Sequence, residues 1–374
     1  MGHDDRIQKL TMPKWGFSLT QGKVVDWLVA EGTEISRGAE VLEVETEKSI
    51  GIVESPVGGV LRRHVATFGQ DIPVGGLVGV IADPSVSDAQ IDEFVKSFVP
   101  EETAGKTDSQ QDKPAYATVG GRSLRYLQQG EGGEPVVLIH GFAGNLNNWL
   151  FNHSALANDR AVYAIDLPGH GQSSKDIGEG SIEFFANLVR DWMDALGIEQ
   201  AHLIGHSMGG AIAMETALSA PQRVLSCTLI SSAGLGNEID AEYVRGVVGA
   251  DRRKELKTYL ERLFANPELA TRQLVDDVLK FKRIDGVQKA LNQLADAFIV
   301  EGKQKTVFRS RLGEITVPLL VLWGEKDHII PQAHAAGLPA NCRVEILENC
   351  GHMVQMEASA DVNRFISNFL RNIT

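Results

Sequence analysis

The stretch AHLIGHSMGGAIAMETALSA, Ala201 to Ala220, changes character at its centre. Ala201–His206 reads as a strand running into a sharp turn, and MGGAIAMETALSA reads as a helix. Between them stands Gly205-His206-Ser207-Met208-Gly209, a G-x-S-x-G sequence at a strand-to-helix junction, the context a nucleophile elbow requires. A turn that tight needs glycine on both sides and leaves the Ser207 hydroxyl exposed at the sheet edge. The free N–H groups at the start of the following helix are aimed at the same spot.

A serine hydroxyl attacks a carbonyl only when a base takes its proton, and the base needs an orienting carboxylate. In this arrangement the acid and then the histidine follow the serine along the chain. LWGEKDHIIP offers Asp327 after a strand ending at Trp323, with Glu325 as a rival, and NCGHMVQMEAS offers His352 in a glycine-bounded loop before the last helix. HGFAG, His140 to Gly144, follows the strand PVVLIHG and would supply the Phe142 N–H to an oxyanion hole, with the Met208 N–H as its second donor. Further strands, RAVYAID, VLSCTLIS and VPLLVLWG, alternate with the amphipathic helix SIEFFANLVRDWMDAL, which predicts a mostly parallel sheet with helices on both faces. Between Gly234 and Arg309 the strand pattern gives way to the helical stretches EYVRGVV, RRKELKTYLERLF and ATRQLVDDVLKFK. That segment, about residues 235–309, is expected to be a lid over the sheet. With DLPGHGQSS, Asp166 to Ser174, the region 116–374 resembles an α/β-hydrolase, close in flavour to the carbon–carbon bond hydrolases and haloperoxidase-like esterases. His170 and His206 are read as structural, and no His/Cys/Asp cluster has metal-ligand spacing.

Residues 7–83 are of another kind: short strands with glycine turns, and an internal repeat. An offset of 37 aligns Gly22 with Gly59, Val24 with Leu61, Leu28 with Val65, Gly32 with Gly69, Ile35 with Ile72, Gly38 with Gly75, Val41 with Val78 and Val44 with Ile81. Two like strand sets predict a small sandwich with quasi-twofold symmetry. Lys48, in VETEKSIG, falls at the connection between the halves, after Glu43, Glu45 and Glu47 on one strand face. The run from MPKWG through EGTEISRG to ETEKS resembles a lipoyl domain of the 2-oxo acid dehydrogenase complexes, with Glu47 and Ser49 where biotin carriers usually show methionine. By that resemblance Lys48 carries lipoate as an amide, a dithiolane on a flexible arm.

From Pro84 to Lys113, seven acids against three bases with Ser, Gln, Gly and Thr read as a solvated linker, extended in the domain scheme to residue 115. A flexible segment of that length spans roughly 30 Å. Within it SDAQIDEFVKSFV places Ile91, Phe94, Val95 and Phe98 on one helical face. This helix either docks on one of the chain's own domains or is a handle for another subunit.

The fold class is therefore multidomain: an all-β lipoyl-type sandwich, a linker, and an α/β-hydrolase domain with a helical lid. The chain of 374 residues is comfortable for two domains, and its 38 glycines suit many tight turns. A net charge of −13 argues against nucleic acid or an anionic membrane as partner. Cys227, Cys342 and Cys350 show no CxxC spacing and suit a reducing compartment. MGHDDRIQKL has no apolar core of a secretory signal and no Ser/Thr at position six for myristoylation, so the cytoplasm is the expected location.

A lipoyl lysine presents acyl groups as thioesters, and a hydrolase-type serine attacks acyl carbonyls. The combination resembles the acyltransferase (E2) components of acetoin dehydrogenase complexes. That resemblance implies a thiamine-diphosphate E1 that loads acetyl onto the arm of Lys48, coenzyme A as acyl acceptor, a flavin-dependent E3 dihydrolipoamide dehydrogenase, and a homo-oligomer. It departs from the better-known E2 pattern: H-x-x-x-D-G is absent, Asp285-Gly286 lacking the histidine, and the linker shows no peripheral subunit-binding domain. Two other readings compete: a hydrolase or thioesterase that releases free acid, and a lipoyl carrier or scaffold with an idle hydrolase fold. Arg252, Arg253, Lys254 and Lys257 on the lid could meet coenzyme A or form a solvated helix face.

Overall fold

Residues 6–13, 21–46, 50–98 and 113–373 are described by the computed structural model, in two units that divide after residue 110. The strands of the first unit are β1 (Ile7–Thr11), β2 (Gln21–Trp27), β3 (Glu34–Ile35), β4 (Glu40–Glu45), β5 (Ile50–Glu54), β6 (Gly59–His64), β7 (Asp71–Pro73) and β8 (Leu77–Ala82). They form two four-stranded sheets, β1-β8-β6-β3 and β5-β4-β2-β7. Advancing every strand of the first sheet by four places, cyclically, generates the second, which is the quasi-twofold relation the repeat predicts. The aligned apolar positions are core in both halves: Val24 and Leu61, Val41 and Val78, Val44 and Ile81, Ile35 and Ile72 are all buried. Gly32 and Gly69, and likewise Gly38 and Gly75, share positive φ between 75° and 86°, so the same turns recur. The pairing of β4 with β5 ends at Glu45 with Ile50; Lys48 lies between these two in the chain, outside the described residues.

One aligned pair breaks the symmetry. Leu28 is 42% exposed, whereas its counterpart Val65 packs against a cluster containing Ile91. The cause is a helix, Asp88–Ser97, capped by Ser87 and Gln90 acting reciprocally. Its Ile91 is fully buried among Ile7, Leu77, Val80 and Val86, and Asp88 and Asp92 pair with Arg62 and Arg63 at 3.0 Å each. Of the two expectations for this helix, docking on the chain's own domain is what the structure has. The first part of the 84–115 segment therefore belongs to the first unit rather than to a solvated linker.

In the second unit, β9 (Ala115–Val119), β10 (Arg122–Gln129), β11 (Val136–Ile139), β12 (Val162–Ile165), β13 (Ala201–His206) and β14 (Val224–Ile230) precede the lid. Within the lid a two-stranded hairpin joins β15 (Ile299–Val300) to β16 (Lys303–Gln304), and β17 (Leu319–Gly324) and β18 (Cys342–Leu347) follow. The main sheet runs β18-β17-β14-β13-β11-β12-β10-β9, with β11 to β14, β17 and β18 parallel and β9 and β10 antiparallel at one edge. The central strands are buried along their whole length, as a sheet covered on both faces demands. Helix Ile182–Ala195, capped by Ser181, buries Phe185, Val189 and Trp192 in the same core. The lid, between β14 and β17, contains helices Ala241–Gly249, Arg253–Leu260, Arg272–Lys282 and Val287–Phe298. The hairpin was not expected there: Glu301 and Gly302, with φ of 52° and 74°, turn the chain back where only helix was anticipated. Among the described residues, no helix is long and apolar enough to cross a membrane, and no group of three His, Cys, Asp or Glu side chains could hold a metal ion.

Candidate active site

Strand β13 ends at His206 and helix Met208–Ser219 begins two residues later, so Ser207 makes the whole turn, with φ 53° and ψ −118°. This positive φ is strained for a residue with a side chain. Its backbone is held by the Ser207 N–H donating to the Ile230 carbonyl at 2.9 Å and by the Ser207 carbonyl accepting from Ala233 at 3.0 Å. The two glycines are sterically required. A Cβ on Gly205 would stand 2.2 Å from the Gly209 carbonyl oxygen, and one on Gly209 would stand 2.1 Å from that of Ile139.

Asp327 follows β17 and His352 follows β18, so parallel topology brings both to the carboxyl edge where β13 delivers Ser207. His352 Nδ1 and Asp327 Oδ2 are 2.8 Å apart, both side chains buried. The other carboxylate oxygen of Asp327 accepts from the N–H groups of Ile329 and Ile330 at 2.9 and 3.0 Å. With the proton on Nδ1 facing the carboxylate, the Nε2 lone pair of His352 is left as the basic site. Ser207 and His352 line one pocket, although no hydrogen bond joins Oγ to Nε2, a separation common in substrate-free serine enzymes. Glu325, the rival acid, instead accepts from the Asn349 N–H at 3.2 Å.

Phe142 also lines this pocket, as does the Gly141–Gly144 backbone around it. Among the described residues neither the Phe142 N–H nor the Met208 N–H has an acceptor. Three buried histidines shape the loops. The Leu167 N–H donates to His140 Nε2 at 3.0 Å, so the proton on Nδ1 donates to the Gly141 carbonyl at 2.7 Å. His170 Nε2 accepts from Ala143 N–H at 3.1 Å, one residue beyond Phe142. His206 Nε2 donates to the backbone carbonyl of His352 at 2.9 Å, tying the residue beside the nucleophile to the base's loop. Burial holds His170 and His206 well below the usual imidazole range, so both remain neutral, and it lowers His140 as well.

Glu357 adds a tie that the motifs did not announce. Its carboxylate accepts from Gly351 and from Ala265, a lid residue, at 2.8 Å each, and burial raises its pKa. The N–H groups of His352 and Met353 also donate to the Leu263 carbonyl, at 2.8 and 3.1 Å. Its position, five residues after His352, was the one available signal. Of the four lid cations, Arg253 pairs with Asp276 at 2.7 Å and Lys257 with Glu261 at 3.6 Å, as on a solvated helix face. Apart from Tyr243, the lid side of the pocket is apolar, from Val244, Val247 and Leu260 to Val278 and Phe298.

Comparison with known proteins matches both units. The α/β hydrolase fold family matches residues 134–359, and the biotin-requiring enzyme (biotin/lipoyl) family matches residues 8–81. The chain is 49% identical over 369 residues to the dihydrolipoyllysine-residue acetyltransferase component of the acetoin cleaving system of Pseudomonas putida, covering 98% of this chain and 99% of that one. It is 45% identical over 367 residues to the component of the same name from Cupriavidus necator, with 97% of each chain covered. A solved meta-cleavage product hydrolase from Pseudomonas fluorescens shares the fold of the second unit, with TM-score 0.64 and 24% identity over 70% of this chain and 98% of that one.

Proposed function

We propose, on the premise that the chain belongs to the dihydrolipoyllysine-residue acetyltransferase components of acetoin cleaving systems, that its two units are donor and acceptor in one acyl transfer. The observation that carries the mechanism is the Asp327–His352 hydrogen bond in the pocket that Ser207 lines. Lipoate on Lys48 supplies a thiol that carries acetyl as a thioester, and the β4–β5 hairpin that brackets position 48 fits such an arm. On this reading a thiamine-diphosphate E1 would load acetyl onto one sulfur of the arm's disulfide while the other sulfur is reduced to a thiol, and after transfer a flavin-dependent E3 would reoxidise the resulting dithiol.

Ser207 Oγ gives its proton to His352 Nε2 and attacks the thioester carbonyl. Phe142 and Met208 N–H groups hold the oxyanion, preorganised because no acceptor among the described residues competes for them. Asp327 keeps His352 in the Nδ1–H tautomer and stabilises the imidazolium. His352 then protonates the departing sulfur, and in the second half-reaction takes the proton of the coenzyme A thiol as that sulfur displaces Ser207. The apolar lid excludes water from the acyl-enzyme, which distinguishes transfer from hydrolysis. The reading places the reaction in the cytoplasm, where coenzyme A is available.

The test uses full-length chain lipoylated at Lys48, with lipoylation confirmed by intact mass, then reduced and acetylated. Acetyl-CoA and free acetate are followed with and without coenzyme A. Acetyl-CoA formation that falls at least about 10³-fold in Ser207→Ala is the expected result. Ser207-dependent acetate release without coenzyme A would make the unit a thioesterase, and products independent of Ser207 would make it a scaffold.

A further inference from the structure

Tyr243 lies in the first turn of lid helix Ala241–Gly249 and lines the pocket with Ser207 and His352. The residue is only 6% exposed and its hydroxyl makes no hydrogen bond among the described residues, but the hydroxyl oxygen is not one of the atoms shut off from solvent. A tyrosine this buried ordinarily gives its hydroxyl a partner, and one that is still accessible can take that partner from whatever enters the pocket. Around it the lid contributes only aliphatic and aromatic side chains such as Val244, Val247 and Leu260. A lone hydroxyl in an otherwise apolar lid wall is placed to meet a polar atom of the ligand.

Two contacts fix which side of the pocket it occupies. The helix's capping residue, Asp240, takes the Tyr243 N–H on its side chain at 2.9 Å and donates its own N–H to the Ile329 carbonyl at 2.8 Å. Ile329 is two residues past Asp327 and donates to the same carboxylate that orients His352. The first turn of this helix is thus seated on the acid's own loop, and burial first, then the negative charges of Asp240 and Asp327, keep the phenol protonated. The side of the pocket nearest the acid and base is where sulfur must stand, because His352 exchanges protons with sulfur in both half-reactions. The carbonyl oxygen has its own donors, Phe142 and Met208.

We propose that the Tyr243 hydroxyl is a hydrogen-bond donor to the sulfur of the thioester being cleaved and of the thiol that replaces it. The inference rests on the thiol-to-thiol acyl transfer proposed above. In the first half-reaction the Ser207 Oγ–C bond forms, the C–S bond breaks, and the Ser207 proton passes through His352 to sulfur. In the second, the thiol proton passes to His352, the S–C bond forms, the C–O bond to Ser207 breaks, and the proton returns to Ser207. Tyr243 keeps its proton throughout and lowers the energy of developing thiolate charge in both directions.

The test compares full-length wild type, Tyr243→Phe and Ser207→Ala on S-acetyl thioesters whose thiols span several pKa units around the ordinary value of about 8.5, with coenzyme A as acceptor. Phenylalanine keeps the ring and removes only an unpartnered hydroxyl, so its melting temperature is expected to be unchanged or raised. Loss of kcat/KM in Tyr243→Phe of roughly 10- to 100-fold, largest for the most basic thiols, is the expected outcome. A steeper dependence on thiol pKa is something altered packing alone would not produce. Equal loss across the series, or none, with Ser207→Ala inactive overturns the role of Tyr243 and leaves the transfer mechanism standing. Transfer that persists in Ser207→Ala overturns both.

Discussion

At the residue scale, the site depends on atoms with one permitted position. Asp327 satisfies three donors with two oxygens: His352 Nδ1 and the Ile329 and Ile330 amides. An amide in its place presents N–H to Nδ1 and reverses the imidazole tautomer, so Asp327→Asn is expected to lower acyl transfer roughly 10³- to 10⁴-fold with little change in fold. Transfer kinetics beside a denaturant titration check this, and a loss of less than tenfold would remove Asp327 from the mechanism. Gly205→Ala should fail differently, at the level of folding, because its Cβ would strike the backbone of Gly209. That Ser207, Asp327 and His352 come to one sheet edge was legible because each follows a strand of a parallel sheet. The structural role of His206 was legible too, but the partner it reaches, a carbonyl 146 positions away, was not, and neither was Glu357, because each acts on backbone groups that nothing in the local sequence identifies.

At the element scale, two small pieces govern much of the behaviour. Helix Asp88–Ser97 is anchored by fully buried Ile91, and Ile91→Ala is expected to destabilise the first unit by about 2–4 kcal/mol. Hydrogen exchange across 88–97 in the full chain would show faster opening than in wild type; unchanged protection would mean that the helix is held by something else. Its amphipathic spacing was readable, but the surface receiving it was not, since Ile7, Leu77 and Val80 lie in strands that already have a core on their other face. The lid hairpin escaped notice because two-residue strands carry no periodicity. The second piece is the Glu357 bridge. Glutamine offers one acceptor to two amides, so Glu357→Gln leaves one donor unpaired, at a cost of about 1–3 kcal/mol. Denaturation midpoints and turnover should fall together; a stable variant with reduced turnover would instead assign Glu357 to catalysis alone.

At the scale of the whole molecule, the charge state of buried imidazoles sets the acid limit of the second unit. Burial lowers the pKa of His140, His170, His202 and His206 from the ordinary imidazole value of about 6.5. Above that pH neither the folded nor the unfolded chain protonates them. As the pH falls below it, the unfolded chain binds protons first and stability is lost, by up to roughly 1.4 kcal/mol per pH unit for each histidine. Glu215 and Glu357, raised by burial, act in the opposite sense at lower pH. Denaturant midpoints should therefore drop between pH 7.5 and 5.5; a flat profile would show that these rings protonate inside the fold. The two-unit plan itself was plain from the repeat at one end and the strand–helix alternation at the other. The ties between lid and base were not, and they carry the wider consequence. Leu263 and Ala265 cannot lift without giving up the bonds that seat His352. On the proposed mechanism, opening the chamber would disengage the proton shuttle, as a clutch disengages an engine, and a bound acyl group that met bulk water would do so with no base in gear to hydrolyse it.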